Sequence, residues 1–339
     1  MIEDDSTRPF DSTRPAGPAP AHQALVGARG RGSRGARMTA TITGIHHVTA
    51  IAGDPQRNLD FYTGTLGLRL GKLTVNFDDP ATYHFYFGDE AGAPGTILTF
   101  FPWPKARRGS QGTGQVSATS FAVPRASLDF WRARLAGVHL PAEDAGERFG
   151  EPVLRLTDPD GLPLEFVGVG DAPAARPWTG SDVPVEHAIR AFHSATLAEA
   201  DHEPTAQMLT GVMGWRLVGQ EGDRFRYQAP AGGAATLVDV LRQPSRGEGR
   251  GGAGTVHHIA WRTPDAAAQL EWQRTLVGLG HRVSPVMDRT YFQSIYYREP
   301  GGVLFEIATD PPGFTVDEAP ERLGHRLQLP RTFEASRPL

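Results

Sequence analysis

Two adjacent histidine pairs, His46-His47 and His257-His258, are the residues in this sequence best suited to chemistry. Each opens a short alternating apolar run, at 45–49 and 256–260, and Glu306 stands in a third such run, 303–307. One imidazole from each pair and one carboxylate, each on its own strand, can cap one face of a metal ion and leave the opposite face open. That is the donor set of a non-haem Fe(II) oxygenase. The fold must then carry the neighbourhoods of residues 47, 258 and 306 to one point.

The rest of the composition narrows the chemistry. The chain has 339 residues, enough for two domains or one large pseudo-symmetric body. Charged residues make up 21% and the formal net charge is -4, which argues against a nucleic-acid binder held by phosphate contacts. There is no cysteine, so thiolate zinc sites, Fe–S clusters and cysteine nucleophiles are excluded, and a metal must be held by N and O ligands. No apolar run approaches the ~20 residues that span a bilayer. A soluble, cytoplasmic protein is expected, without membrane or nucleic-acid partners.

Residues 1–38 carry a tandem Asp-Ser-Thr-Arg-Pro (5–9 and 11–15) followed by Gly/Arg alternation up to Arg37. Little apolar surface is available there to offset ordering entropy, so a disordered tail upstream of Met38 is expected.

The remaining sequence repeats itself. Glu165 and Glu306 are 141 positions apart (306 − 165), and Pro159/Pro300, Trp131/Trp272, Gly137/Gly278 and Ser117/His258 share that offset. A second offset, 147 (193 − 46), relates His46 to His193, Thr49 to Thr196, Gly64 to Gly211, and Gly67-Leu68-Arg69-Leu70 to Gly214-Trp215-Arg216-Leu217. Each half divides again, giving units near 43–101, 115–168, 187–241 and 255–309. Each unit begins with a strand, continues into a helix-period stretch and ends with strands of period two, a β-α-β-β-β pattern. Gly/Pro-rich joints separate them. The expected architecture is α+β: four such modules in two pseudo-symmetric halves, 39–169 and 187–311, followed by a C-terminal extension, 312–339.

These residues resemble a known family. The β-α-β-β-β repeat, the opening His46-His47-Val48-Thr49 and the closing 299–306 stretch, Glu-Pro-Gly-Gly-Val-Leu-Phe-Glu, are similar to the vicinal oxygen chelate superfamily. Its members include glyoxalase I, bleomycin-resistance proteins and extradiol dioxygenases. Residues 42–49, the string Thr74-Val75-Asn76-Phe77-Asp78-Asp79-Pro80 and residues 254–260 most resemble its ring-cleaving hydroquinone dioxygenase branch. The likeness covers about 39–330. It implies Fe(II), with Mn(II) as the alternative, held by His47, His258 and Glu306. The second histidine of each pair matches the ligand-bearing strand of the superfamily. Ser194 and Ser117 replace the imidazoles in the other two units, so Glu165, the counterpart of Glu306, has no ligand partners there.

The resemblance also implies Arg289 and Tyr296 near the second oxygen of an aromatic substrate. His46 and His257, beside the ligands, are candidates for proton transfer, and Thr49 lies two residues beyond His47, on the same side of its strand. The expected activity is Fe(II)-dependent ring cleavage of hydroquinones or catechols with O2, by a chain able to form a homo-oligomer. Two other readings remain at this point. A glyoxalase-like lyase or isomerase would need a fourth ligand, and a non-catalytic resistance-type binder would not need His47, His258 and Glu306 together.

Overall fold

The computed structural model describes residues 40–173, 176–330 and 333–334. The expected tail, residues 1–38, lies outside the described residues. Every quarter of the body folds as β-α-β-β-β. The first module comprises β1 (Ile45–Ala52), α1 (Pro55–Leu59), β2 (Arg69–Asn76), β3 (Asp79–Gly88) and β4 (Ile97–Pro102). The second comprises β5 (Gln115–Pro124), α2 (Leu128–Gly137), β6 (Glu143–Arg148), β7 (Glu151–Thr157) and β8 (Pro163–Val169). The third has β9 (Ala191–Glu199), α3 (Glu203–Gln207), β10 (Arg216–Glu221), β11 (Arg224–Gln228) and β12 (Leu237–Arg242). The fourth has β13 (Thr255–Thr263), α4 (Ala266–Gly278), β14 (Met287–Asp288), β15 (Gln293–Arg298) and β16 (Leu304–Thr309). The expected α+β class and four-module repeat are both present.

Local chemistry explains the shared punctuation. Asp54 and Asp265 cap α1 and α4, each accepting a backbone N–H three residues on, from Arg57 and Ala268. The turns before β8 and β16 end on Gly161 and Gly302, at φ 87° and 105°, a region that favours glycine. Asp158 holds the first turn through the amides of Asp160 and Leu162, and Glu299 takes the amide of Val303 in the second. Trp131 and Trp272, which share the 141 offset, are both fully buried where their helices meet the sheets.

Modules do not pair in chain order. The first and fourth merge into one eight-stranded sheet, β14-β15-β16-β13-β1-β4-β3-β2, and the third and second into another, β10-β11-β12-β9-β5-β8-β7-β6. Each half of the repeat therefore contributes one module to each sheet. The seams are antiparallel, β1 against β13 and β5 against β9. This topology brings residues 47 and 258 onto neighbouring strands although 211 positions separate them.

The segment after β16 covers the β2 edge of the first sheet. Buried Lys72 on β2 bonds the Phe314 carbonyl at 3.1 Å, Asp317 at 2.6 Å and Glu318. Gln328 donates its N–H to Leu73 and accepts from the Thr74 hydroxyl. An edge strand is thus paired rather than left open.

Candidate metal centre

At the β1/β13 seam the ladder runs Ile45↔Trp261, His47↔Ala260, Thr49↔His258, Ala50↔Val256. Two residues have no opposite number, His46 on β1 and His257 on β13. Each is the extra residue of a β-bulge. Regular alternation would send the two rings of each pair to opposite faces. The bulges instead bring their Nδ1 atoms together, 2.9 Å apart in His46-His47 and 2.8 Å apart in His257-His258. Nε2 of His47 and His258 is left to face inward.

Glu306 meets them from β16, which pairs with β13 through Ala260↔Glu306. His47 Nε2 lies 3.4 Å from His258 Nε2, and Glu306 Oε2 lies 3.3 Å from the first and 2.9 Å from the second. All three residues are buried. Donors about 2.1 Å from one ion and at right angles to each other would be about 3 Å apart, so these separations fit one face of an octahedron. Glu306 Oε2 makes no hydrogen bond, whereas Oε1 accepts one from the Ser294 hydroxyl at 2.5 Å. One oxygen is oriented and the other is aimed at the point where the imidazoles converge. Burial raises the Glu306 carboxyl, but the adjacent His47 and His258 outweigh it and hold the group well below the usual carboxylate range. This donor set fits a divalent metal.

The remaining expected residues are placed unequally. A cavity of about 1120 Å³ is lined by His257, His258, Arg289 and Tyr296, together with Phe101, Trp103, Asn76 and Asp78. Tyr296 pairs with Glu306 across β15 and β16 and its ring centroid is 5.5 Å from that of His258. Arg289 lies over the Tyr296 ring at 5.5 Å. Burial, and then the charge of Glu306, raises the Tyr296 phenol, so it stays protonated as a donor. His46 does not line this cavity: it is 1% exposed and packs on Phe292, and burial followed by the charge of His47 lowers its pKa well below the ordinary value. Thr49 is also away from the cavity, hydrogen-bonded to Thr99 at 2.8 Å. Thr99 is in turn bonded by His84, and His84 by Tyr86.

Sequence reasoning missed Ser294, Asp78 and His84. The first two had a trace. Ser294 alternates with Tyr296 on one strand, and Asp78 sits inside the 74–80 string. His84 fits no ligand spacing in the sequence, and a hydrogen-bonded neighbour leaves no spacing signal of its own.

The second sheet carries the counterpart of this centre with its carboxylate, Glu165, but without the two imidazoles. Its ladder, Ser120↔Ser194, Ala118↔Thr196 and Val116↔Leu197, aligns Ser194 with His47 and Ala118 with His258. Ser117 is the bulged residue, equivalent to His257. The expected match of Ser117 with His258 is therefore one residue out, because the offset of 141 set by the glutamates drops to 140 along this strand. Glu165 receives two hydrogen bonds from the Arg148 guanidinium, both 2.7 Å, and one from Ser120 at 2.8 Å. An arginine supplies the positive charge there.

The sequence profile described as Glyoxalase/Bleomycin resistance protein/Dioxygenase superfamily matches residues 44–166 and again 191–307. The chain belongs to this superfamily. Within it the chain is a dioxygenase enzyme, on the strength of relatives that it matches nearly end to end. It is 51% identical over 300 residues to the Bacillus subtilis (strain 168) protein named "Putative ring-cleaving dioxygenase MhqO", covering 88% of this chain and 95% of that one. It is 36% identical over 304 residues to the chlorohydroquinone/hydroquinone 1,2-dioxygenase of Sphingobium indicum, covering 88% and 94%. A crystal structure from Bacillus subtilis, titled "putative dioxygenase", is 51% identical and superposes with a TM-score of 0.84 over 87% of this chain and 94% of that one. Glyoxalase I from Zea mays, at 14% identity and a TM-score of 0.59 over 79% and 92%, shares the fold.

Proposed function

We propose that this enzyme opens the ring of hydroquinones, and of catechols less readily, using O2 and Fe(II) held by His47, His258 and Glu306. The observation that carries the reading is the convergence of Nε2, Nε2 and Oε2 at 3.4, 3.3 and 2.9 Å, with one of the three residues, His258, also lining an aromatic-walled cavity. The names of the relatives supply the substrate class. Bound Fe(II) would supply a Lewis-acidic, redox-active centre that favours a phenolate and lets the electrons of the ring reach O2.

The protein's own groups do the rest. Ser294 fixes the rotation of Glu306 and leaves Oε2 unencumbered. Phe101 and Trp103, stacked on each other at 5.6 Å, give the ring an apolar wall. Tyr296 and Arg289 present a protonated phenol and a guanidinium to the far oxygen of a para-hydroquinone, and so stabilise negative charge as it develops. His257 lines the cavity beside His258, and we assign it the exchange of a proton with the substrate hydroxyl. His46 and Thr49 are assigned the orientation of His47 and its strand, since neither lines the cavity. Both oxygen atoms of O2 enter the product and all four electrons come from the substrate, so no NAD(P)H is consumed.

A glyoxalase reading is weaker because three groups, without a fourth His, Asp or Glu, form the candidate cluster among the described residues. Anaerobic loading with Fe(II), followed by O2 uptake with a panel of hydroquinones and catechols, tests the reading. Uptake with a ring-opened product is expected. No uptake by fully loaded protein with either class, together with turnover of a glutathione hemithioacetal, would reject it.

A further inference from the structure

The chain contains two arginines in the same place of its repeat, and they do different things. Arg148 and Arg289 share the 141 offset. Each precedes a left-handed residue, Phe149 at φ 51° and Thr290 at φ 66°, in the turn that leads toward β7 or β15. In the second sheet Arg148 reaches inward and makes a bidentate pair with Glu165 at 2.7 and 2.7 Å. In the first sheet Arg289 does not pair with Glu306. Its guanidinium goes to Asp78 instead, at 3.2 and 2.8 Å.

The hairpins facing the two turns account for this difference. In the third module Glu221, at the end of β10, accepts the Phe149 backbone N–H at 2.7 Å, so the Arg148 guanidinium is left for Glu165. In the first module the β2–β3 hairpin is longer, and its turn offers Asp78, whose own N–H is held by the Asn76 side chain at 3.0 Å. Asp78 takes the guanidinium itself. An arginine on Glu306 would occupy the direction of Oε2 and supply the charge that a metal would otherwise bring, as Arg148 does for Glu165.

We infer that Asp78 is a positioning residue: it holds Arg289 off Glu306, and so keeps the metal centre open while leaving Arg289 in the substrate cavity. Asp78 is 60% exposed at its side chain but Arg289 only 13%, so the pair is bidentate and partly shielded rather than a loose surface contact. The inference rests on the metal reading given under the proposed function.

The test is Fe(II) affinity, measured anaerobically against a competing chelator, with thermal unfolding of each apoprotein recorded beside it. Asp78→Ala and Asp78→Asn should bind Fe(II) about tenfold more weakly or worse, the scale set by outer-sphere partners of metal ligands. Arg289→Ala should bind it as the unaltered protein does, and Asp78→Ala with Arg289→Ala should recover that affinity. The recovery is decisive, because a merely structural role for Asp78 would not be repaired by removing a second side chain. Unchanged affinity in both Asp78 variants overturns the inference, as does a double variant as weak as Asp78→Ala. If the unaltered protein itself takes up no Fe(II), the metal reading fails first.

Discussion

His257 and His258, adjacent in the sequence, turn their Nδ1 atoms to within 2.8 Å of each other, and His46 and His47 repeat the arrangement at 2.9 Å. If Nε2 of His47 and His258 faces a metal, their protons sit on Nδ1 and are donated to the neighbouring ring. Each bulged histidine thereby fixes the tautomer and rotation of the ligand beside it.

Replacing His257 with Leu should therefore weaken Fe(II) binding about 10- to 100-fold, the usual effect of removing an outer-sphere partner. His257→Asn, whose side-chain oxygen can accept the same proton, should recover part of the loss. Competitive chelator titration of both variants gives the answer; equal losses would mean that the imidazole acts in some other way.

Glu306 and Glu165 hold equivalent positions but answer to different cations. Glu306→Ala and His258→Ala should lose metal and turnover together, since a three-donor site has no redundancy. Glu165→Ala should keep its metal and lose stability instead, because Arg148 is left without its bidentate partner in a largely buried position. Breaking such a pair costs about 3–5 kcal/mol, readable in denaturant unfolding. Metal loss in the Glu165 variant comparable to that in Glu306→Ala would show that the wrong half of the repeat has been chosen.

Arg289 and Tyr296 make a separate, kinetic prediction. Neither lies among the three converging donors, so Arg289→Ala and Tyr296→Phe should keep Fe(II). Both should lower kcat with a hydroquinone, by about 10²-fold if the two groups stabilise charge developing on oxygen. Metal content measured on the same samples separates this effect from site collapse. A raised KM with unchanged kcat would assign them to binding alone.

The architecture was readable because a duplicated body leaves constant offsets between prolines, glycines and tryptophans that each do one structural job. The donors were readable because His47, His258 and Glu306 stand in short alternating runs. The bulges were not. One extra residue in a strand has no compositional mark, and alternation alone puts His46 and His257 on the face away from their neighbours. The match of His258 with Ser117 rather than Ala118 arose elsewhere, from one more residue between Ala260 and its partner Glu306 than between Ser120 and Glu165. The Asp78–Arg289 pair spans 211 positions and depends on hairpin length, which a turn signal does not fix.

Glu199 offers a test of the fold away from the metal. It ends β9, is 1% exposed, and its Oε1 has no hydrogen-bond partner. Burial, reinforced by the charge of nearby Glu299, pushes its carboxyl up to about 10. In the unfolded chain the same group titrates near the ordinary glutamate value of about 4.3. Between those two values the native state binds a proton that the unfolded state has released, so stability falls as pH rises across that window. Glu199→Gln keeps the shape and removes the titration. Its Tm should match that of the unaltered protein near pH 4 and exceed it by a margin that widens as pH rises from about 5 to about 9. Asp158, raised to about 6 by burial, contributes a similar slope at lower pH, but it is present in both proteins and cancels. A margin that stays constant with pH would mean that glutamine merely packs better, and that Glu199 carries no raised pKa.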